Sequence, residues 1–354
     1  KAAFSPVIAL AGSYSTKDKM EDAFQGLDQQ SLFSPITKKT WTVKKLKKIT
    51  KTLDNAFKLS MAPRRGPVCI NLPRNILAET GKFNIPKNSS YKKEYTNKGK
   101  PKEIAKSVKI ILQSKKPVII VGAGIKNTGK YEDVIKFSKS FNIPIVSSAG
   151  HGDAVPSNYK LYAGQMGPRG NPVATKLVKE ADVIVALGTR LGFNSTFYSY
   201  ENINRKAKII HVELEKKMIG RYFSISVGIF GDANTVIKQI HNEMKDRKVL
   251  SEVDIWTNNF IKERAKYLKQ RDAIKLNRSS IIQPKGLFKE LRNILPINSA
   301  ITLDAGTLCL QATDAFEYYE PPSLFTPLDF GLVGFSFACG LGVKLAKPKK
   351  KVVS

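Results

Sequence analysis

The sequence contains few of the residues that build disulfide frameworks and metal centres. Only three of its 354 residues are cysteine, and only three are histidine. Cys69, Cys309 and Cys339 lie far apart inside apolar segments, without the short spacings that zinc ligands have. This pattern argues against a disulfide scaffold or a zinc site, and it favours small core residues in a reducing compartment.

Long hydrophobic runs are also missing. No apolar segment approaches the roughly 20 residues that a membrane helix needs, and the first residues do not follow the charged-then-apolar order of a signal peptide. We therefore expect a cytoplasmic protein that does not enter a membrane.

Acidic residues are scarce relative to basic ones. The sequence has 59 Lys and Arg against 29 Asp and Glu, which gives a formal net charge of +30. Such an excess is found in proteins that bind nucleic acid, but most of it here is lysine scattered along helices and connectors. The distribution favours a solvated basic surface and disfavours a nucleic-acid partner. A basic nucleic-acid-binding protein stays open as the non-enzyme alternative.

The three histidines do not form a recognisable catalytic set. His151, His211 and His241 are isolated, and no Ser-His-Asp or Cys-His combination can be assembled around them. His211 falls in a predicted strand and is expected to pack in the core. His151 lies between two glycines after a strand end, which is consistent with a cleft residue and equally with a turn.

Short runs of valine and isoleucine alternate with amphipathic helices along most of the chain. The pattern predicts strands at 7–11, 40–43, 68–73, 118–121, 143–146, 183–187 and 209–212, and helices near 44–60, 104–113, 130–140, 172–180 and 251–277. Apolar strands separated by helices are typical of parallel sheets covered on both faces. A chain of this length is expected to form two or three such domains.

Three glycine-containing turns lie in the middle of the chain, two of them after predicted strands and the third after the apolar Ile229. They are Gly122-Ala123-Gly124, Gly188-Thr189-Arg190 and Gly231-Asp232-Ala233. Ligands of open parallel sheets bind at the carboxyl ends of strands. The first turn is similar to a dinucleotide-binding fingerprint, but the next glycine is Gly129, so the spacing G-x-G-x-x-G is not met. A strand-end turn and a nucleotide contact both stay open, while a nicotinamide or flavin oxidoreductase is disfavoured.

Two further turns lie near the end of the sequence. The apolar strand at 301–303 is followed by Asp304-Ala305-Gly306-Thr307, an arrangement in which backbone N–H groups and the helix dipole suit a diphosphate. Further on, Phe330-Gly331-Leu332-Val333-Gly334-Phe335 leads into a helix of small apolar residues. The two turns predict the binding site of a diphosphate-bearing cofactor.

These two turns resemble the diphosphate-binding domain of thiamine-diphosphate enzymes, in the acetohydroxyacid synthase-like branch, and other motifs follow in the family's order. Segments 6–12, 22–25 and 66–73 resemble the closing half of its pyrimidine-binding domain, and segments 116–124, 153–156, 164–167, 181–190, 208–213 and 231–232 resemble its central domain. The resemblance implies an α/β fold of three consecutive domains with mostly parallel sheets covered by helices, the first and last incomplete. It assigns the C-terminal part of the pyrimidine-binding domain to 1–80, a linker to 81–103, a Rossmann-like central domain to 104–245, a helical linker to 246–282 and the N-terminal part of the diphosphate-binding domain to 283–354.

The resemblance also implies a function and a set of site residues. Enzymes of this family use thiamine diphosphate to decarboxylate a 2-keto acid and to transfer the resulting two-carbon unit. The matched cofactor-binding residues are Ala305, Gly306, Thr307 and Leu308 for the diphosphate and Gly331, Leu332, Val333 and Gly334 for the aminopyrimidine. Val333 would be the bulky residue that bends the cofactor. Phe24 and Gln25 would approach the substrate from the neighbouring subunit, which implies a homo-oligomer with its active site at a subunit interface.

Several features of the family are not matched or stay open. The glutamate that protonates the pyrimidine is expected before Lys1 and the magnesium ligands after Ser354, so no metal ligand is assigned here. The isolated chain is therefore expected to hold Mg²⁺ poorly and to be inactive. Sulfoacetaldehyde acetyltransferase, which passes an acetyl group to phosphate, is the alternative within the family, because segments 153–156, 186–191 and 227–232 look closer to it. The central domain is open to FAD, to ADP or to no ligand.

Overall fold

The computed structural model describes residues 1–18, 23–82, 97–273 and 282–354. The chain forms two compact units, residues 1–95 and residues 96–354. Among the described residues, the first unit contains one sheet and the second contains two. Asp22 of the segment 22–25, most of the predicted linker at 81–103 and the end of the predicted helical linker at 246–282 lie outside the described residues.

The first unit contains a three-stranded parallel sheet with helices beside it. In chain order its elements are β1 (Ile8–Ser13), α1 (Gln29–Phe33), β2 (Thr40–Thr42), α2 (Ile49–Met61), β3 (Val68–Pro73) and α3 (Arg74–Leu77). Strand β3 lies between β1 and β2 and is almost entirely buried. Helix α2 begins later than the predicted start at 44, since Leu46–Lys48 first forms a short 3-10 helix.

A six-stranded parallel sheet forms the centre of the second unit. Its elements are α4 (Pro101–Leu112), β4 (Pro117–Val121), α5 (Ala123–Lys126), α6 (Glu132–Phe141), β5 (Ile145–Ser147), β6 (Tyr162–Gln165), α7 (Pro172–Glu180), β7 (Val183–Leu187), α8 (Phe193–Thr196), β8 (Lys208–Glu213), β9 (Val227–Phe230) and α9 (Ala233–Met244). The strand order is β6-β5-β4-β7-β8-β9. The chain adds strands outward from β4 on one side and then from β7 on the other, so the order reverses between β4 and β7.

Both faces of this sheet are buried, which explains the uninterrupted valine and isoleucine runs. In β4, Ile119 and Val121 pack into a core on one face, whereas Val118 and Ile120 pack into a second core on the other. Alternate side chains of a strand point to opposite faces, so a strand covered on both sides is apolar throughout. The predicted strands and helices of this region are confirmed, with ends shifted by a few residues.

The sequence pattern does not predict the two edge strands, β6 and β9. Each has only 4 residues, and each contains a glycine, Gly164 or Gly228, which weakens the apolar pattern. They pair with β5 and β8, respectively. The edge strands therefore depend on the neighbouring strand more than on their own sequence.

Helix α10 (Glu252–Asp272) lies within the predicted helical linker. Its Phe260 is buried in the core on one face of the central sheet, and Trp256 packs against that core. The Trp256 indole N–H donates to the carbonyl oxygen of Pro117 at 3.1 Å. This helix therefore packs on the central sheet and is part of the covering of that face.

The last part of the chain forms the second sheet of this unit. Its elements are α11 (Pro284–Ile294), β10 (Ala300–Thr302), α12 (Thr307–Ala315), β11 (Leu324–Phe325), α13 (Phe335–Ala346) and β12 (Val352–Val353). The strand order is β11-β10-β12, and both pairings are parallel. The α/β fold with mostly parallel sheets covered by helices is thus confirmed. None of the helices in the described ranges is both long and apolar enough to cross a membrane.

Candidate functional site

The start of α12 presents uncapped backbone N–H groups at the surface. Strand β10 ends at Thr302, and Gly306 occupies the N-cap position of α12 without a side-chain cap. Residues 306–308 are exposed. The first N–H groups of a helix have no partner within the helix, and the helix dipole makes this end attractive to anions. Ala305, Gly306, Thr307 and Leu308, the residues predicted for the diphosphate, therefore surround a suitable anion site.

The second predicted turn lies directly beside this helix start. The Ala305 N–H donates to the carbonyl oxygen of Leu332 at 3.1 Å. The Asp304 carboxylate accepts hydrogen bonds from the N–H groups of Gly334 at 2.9 Å and Ser336 at 2.6 Å. Two segments that are far apart in the sequence are thus joined by three hydrogen bonds. The residues predicted for the diphosphate and those predicted for the aminopyrimidine share one surface.

Asp304 distinguishes the two helix starts at this surface. Its carboxylate binds the first N–H groups of α13, and the hydrogen bonds from Ser336 and Gly334 hold the pKa of Asp304 below its usual value. The side chain is therefore ionised at neutral pH and acts as the cap of α13. Because those N–H groups are already bonded, an added anion would bind at α12.

The turn between Gly331 and Gly334 is exposed and open. Both glycines have positive φ, 75° and 82°, and a Cβ built on either would meet nothing within 4 Å. This backbone conformation favours glycine. Val333 between them is 84% exposed. The turn offers an apolar side chain and free space next to the α12 start, which fits a flat ring attached to a diphosphate.

Phe24 and Gln25, the predicted catalytic residues, belong to the first unit. Phe24 is 87% exposed, and Gln25 has a positive φ of 59°. An exposed aromatic side chain is consistent with contact to another molecule. Their approach to the substrate stays a prediction.

The glycine turns of the central sheet pack against each other. A Cβ on Gly124 would lie 2.6 Å from the Cα of Gly188, and the Gly124 N–H donates to the Gly188 carbonyl oxygen at 2.9 Å. The Asp232 carboxylate accepts from the Thr235 N–H at 2.8 Å and caps α9. The sequence leaves open whether these glycines form strand-end turns or contact a nucleotide, and the packing contacts are those of strand-end turns.

The charged groups at the carboxyl ends of β4, β5 and β7 are already paired within the chain. Lys126 forms a 2.9 Å ion pair with Asp153, whose side chain is fully buried. Arg190 forms a 2.9 Å ion pair with Asp329. Groups engaged in this way do not offer their charge to the phosphates of a dinucleotide. The structure therefore does not support FAD in the central sheet.

Two of the histidines have different environments. His211 is buried, its Nε2 lies 2.8 Å from the Thr189 carbonyl oxygen and its Nδ1 accepts from the Gly220 N–H at 3.2 Å, which confirms a core residue. The Nδ1 of His151 is buried and has no hydrogen-bond partner among the described residues. Burial, reinforced by the nearby Lys126, lowers the pKa of His151 to about 4. This imidazole is therefore neutral at neutral pH.

Sequence reasoning gave no role to the two carboxylates that organise this end of the chain. The sequence places Asp304 only in a turn, and it does not predict the pairing of Asp329 with Arg190. Their partners lie far away in the sequence, so only the folded chain identifies them. A polar residue directly after a strand, as at Asp304, is the only available signal. No group of three or more His, Cys, Asp and Glu side chains in the described ranges is arranged to hold a metal ion.

Comparison with known proteins agrees with this geometry. Residues 104–240 match the family model described as thiamine pyrophosphate enzyme, central domain, and residues 304–354 match the model described as thiamine pyrophosphate enzyme, C-terminal TPP binding domain. Thiamine pyrophosphate is another name for thiamine diphosphate. The second match contains both of the joined turns.

Curated relatives extend the match to almost the whole chain. The probable acetolactate synthase large subunit of Methanocaldococcus jannaschii is 30% identical over 367 residues, with 99% of this chain and 60% of the relative covered. The protein of the same name from Methanococcus aeolicus is 29% identical, with the same coverage. The sulfoacetaldehyde acetyltransferase of Alcaligenes xylosoxydans xylosoxydans is 26% identical, with 99% of this chain and 62% of the relative covered. The chain thus spans about three-fifths of the length of these relatives, and it belongs to the thiamine pyrophosphate enzyme family.

Proposed function

We propose that the full-length protein is a thiamine-diphosphate-dependent enzyme of the acetolactate synthase type. It would decarboxylate a 2-keto acid and transfer the resulting two-carbon unit to a second keto acid. The observation that supports this most directly is the hydrogen bond from the Ala305 N–H to the Leu332 carbonyl oxygen. It joins an uncapped helix start, suited to a diphosphate, to an open glycine turn, suited to a ring.

The roles proposed for the residues follow from this arrangement. When bound, thiamine diphosphate supplies the carbanion that attacks the keto acid and the electron sink for decarboxylation. The N–H groups at 306–308 and the Thr307 hydroxyl would hold the diphosphate oxygens. Val333 would press against the cofactor and keep it bent. Mg²⁺ would accompany the diphosphate, and no ligand for it is assigned in the part of the chain that the structure describes.

The first unit would complete the active site of a neighbouring subunit. Phe24 and Gln25 would approach the substrate there, so that the protein works as a homo-oligomer with active sites at subunit interfaces. The exposed Phe24 supports this arrangement. We also propose a cytoplasmic location, because all three cysteines are free.

The domain assignment stays as the sequence match predicts it. Residues 1–80 would be the C-terminal part of the pyrimidine-binding domain, 104–245 the central domain and 283–354 the N-terminal part of the diphosphate-binding domain. The linkers would be 81–103 and 246–282. The three separate sheets of the described residues support this division.

Acetyl transfer to phosphate is the second candidate reaction. Segments 153–156, 186–191 and 227–232 look closer to sulfoacetaldehyde acetyltransferase, and a protein of that name covers almost all of this chain at 26% identity. The two reactions share the cofactor, but they differ in the donor of the two-carbon unit, a 2-keto acid or sulfoacetaldehyde, and in its acceptor, a second keto acid or phosphate. The residues proposed for cofactor binding are the same in both.

A product assay on the full-length protein separates the candidates. With thiamine diphosphate, Mg²⁺ and pyruvate, the first proposal predicts acetolactate and carbon dioxide. With sulfoacetaldehyde and phosphate, the second predicts acetyl phosphate and sulfite, because the carbon–sulfur bond of sulfoacetaldehyde breaks. Replacing Val333 by glutamate should abolish either product, because a carboxylate would lie against the ring, whereas the control Gly342→Ala on the exposed side of α13 should retain it.

A binding assay tests whether the protein binds thiamine diphosphate at all. Thiamine diphosphate with Mg²⁺ should raise the melting temperature of the full-length protein, because a ligand that binds only the native state stabilises it. Absence of this effect, together with salt-sensitive retention on DNA or RNA, would contradict the proposal and favour a nucleic-acid-binding protein.

A further inference from the structure

Residues 323–329 form a segment that we call the bridge segment. It contains β11 of the sheet β11-β10-β12 and leads to the open turn at 331–334. The beginning of this segment is fixed to the central sheet. The buried Asp153 carboxylate accepts hydrogen bonds from the N–H groups of Ser323 and Leu324, both at 2.9 Å. Lys126 pairs with the other oxygen of Asp153 and donates to the carbonyl oxygen of Leu324. This attachment is buried.

The end of the bridge segment has a second attachment, at the carboxyl end of β7. The Asn194 side-chain amide donates to the carbonyl oxygen of Leu328 at 2.9 Å. The Arg190 guanidinium lies 2.9 Å from the Asp329 carboxylate. Arg190 and Asn194 both lie in the segment that follows β7. This one segment therefore holds two successive residues of the bridge segment, Leu328 and Asp329.

The second attachment acts close to the proposed cofactor turn. The N–H groups of Phe330 and Gly331 donate to the carbonyl oxygen of Pro327 at 2.9 and 2.8 Å. Asp329 therefore lies inside a tight turn that ends at Gly331. On the other side of the open turn, Gly334 is held by Asp304. Because Asp329 and Gly331 belong to the same hydrogen-bonded turn, a shift of the Asp329 backbone would also move the backbone of Gly331.

We propose that Arg190 is a positioning residue for the cofactor turn and acts through Asp329, with Asn194 supporting it through Leu328. This inference deepens the proposed function and rests on it. Arg190 itself does not bind the cofactor. It fixes the backbone of residues 331–333, so that Val333 meets the cofactor ring in one orientation and little order is lost on binding.

The exposure of the pair separates this role from ordinary stabilisation. The Arg190 side chain is 26% exposed and the Asp329 side chain is 35% exposed. Ion pairs of this kind contribute little to global stability. Loss of Arg190 should therefore affect cofactor binding much more than unfolding.

The test measures the dissociation constant of thiamine diphosphate, with saturating Mg²⁺, in the full-length protein and its variants. Arg190→Met and Asp329→Asn should each raise the constant about tenfold, as expected for coupling between distinct sites. The melting temperature without cofactor should stay within about 2 °C of the wild type. The double variant should be no weaker than either single variant, because both substitutions break the same contact.

A matched control is Arg169→Met at the same end of the sheet. The Arg169 guanidinium lies over the ring of Phe197, 5.5 Å from its centre. This variant should bind thiamine diphosphate as the wild type does. Hydrogen exchange of residues 331–334 without cofactor should be faster in Arg190→Met and unchanged in Arg169→Met.

The outcomes separate this inference from the proposed function. A wild-type protein that does not bind thiamine diphosphate contradicts the proposed function and this inference with it. A wild type that binds, with an Arg190→Met variant that binds equally well, overturns only the positioning role. Effects of the two single variants that add in the double variant overturn it as well, because Arg190 and Asp329 would then act separately.

Discussion

Two sets of glycines come after strands in the second unit, and they are packed in opposite ways. Gly124 and Gly188 touch backbone to backbone, so that a Cβ on Gly124 would lie 2.6 Å from Gly188 Cα. Gly306, Gly331 and Gly334 have free space where a Cβ would be. We call the first set the closed turns and the second set the open turns. In the closed turns glycine permits close packing, whereas in the open turns the space beside the glycine is empty, which is where we propose that the cofactor binds.

The surrounding charges follow the same division. Beside the closed turns, the buried Asp153 is paired with Lys126 and with backbone N–H groups. At the open turns, the helix start at Gly306 lacks a side-chain cap. Glycine spacing alone does not distinguish the two cases. The backbone N–H groups at the start of α12, which have no partner within the helix and no side-chain cap, do distinguish them.

The largest expected effect is at the buried ion pair beside the closed turns. Asp153→Ala should lower the free energy of unfolding by about 3–5 kcal/mol, because it leaves Lys126 and two backbone N–H groups without their buried partner. Urea unfolding measures the change. The control is Glu263→Ala, which breaks an exposed ion pair with Lys176 and should cost at most about 1 kcal/mol. Equal losses of unfolding free energy in the two variants would show that the buried ion pair beside the closed turns contributes no more than an exposed one.

The next effect is at the closed turns themselves. Gly124→Ala should destabilise the protein by about 1–3 kcal/mol, because the added methyl group overlaps the Gly188 backbone. Gly342→Ala is the matched control, since nothing lies within 4 Å of its Cβ position, and alanine in a helix is favoured over glycine by up to about 1 kcal/mol. Thermal unfolding of both variants measures the difference. If Gly124→Ala were as stable as Gly342→Ala, the added methyl group would have room, and the close contact between Gly124 and Gly188 would not require glycine.

A smaller effect concerns pH near the closed turns. Burial and Lys126 lower the pKa of His151 to about 4, against the opposing influence of Asp329 and Asp153, while Arg190 lowers it slightly further. Between about pH 6.5 and 4 the unfolded chain therefore binds a proton that the folded chain excludes. Stability should fall as pH falls through this window, by at most about 1.4 kcal/mol per pH unit from this residue. Unfolding at several pH values should give a flatter profile for His151→Gln, and identical profiles would contradict the assignment.

The smallest effect on stability is expected at the open turns. Val333→Ala removes an exposed side chain and should change the free energy of unfolding by no more than about 0.5 kcal/mol. The same variant should slow turnover in the full-length protein, because it shortens the side chain that we propose bends the cofactor. Parallel unfolding and product assays measure the two quantities. A large loss of stability with unchanged turnover would make Val333 a packing residue.

The fold is easier to predict from the sequence than the packing around its glycine turns. Runs such as 183–187 were identified as strands because both faces of the sheet are buried and the apolar pattern is continuous. The edge strands β6 and β9 were missed, because pairing with a neighbour determines them. Gly124 and Gly306 both lie after strands and differ in what packs on them, which is a property of the folded chain. The hydrogen bonds of Asp304 and the Arg190–Asp329 pair connect distant segments, so the sequence around each residue does not identify its partner.

Hydrogen exchange of the full-length protein with and without thiamine diphosphate and Mg²⁺ compares the two sets of turns in one measurement. We expect the cofactor to slow exchange of the backbone N–H groups at 306–308 and 331–334 and to leave those at 122–124 and 188–190 unchanged. Protection of the closed turns, with none at the open turns, would contradict this expectation.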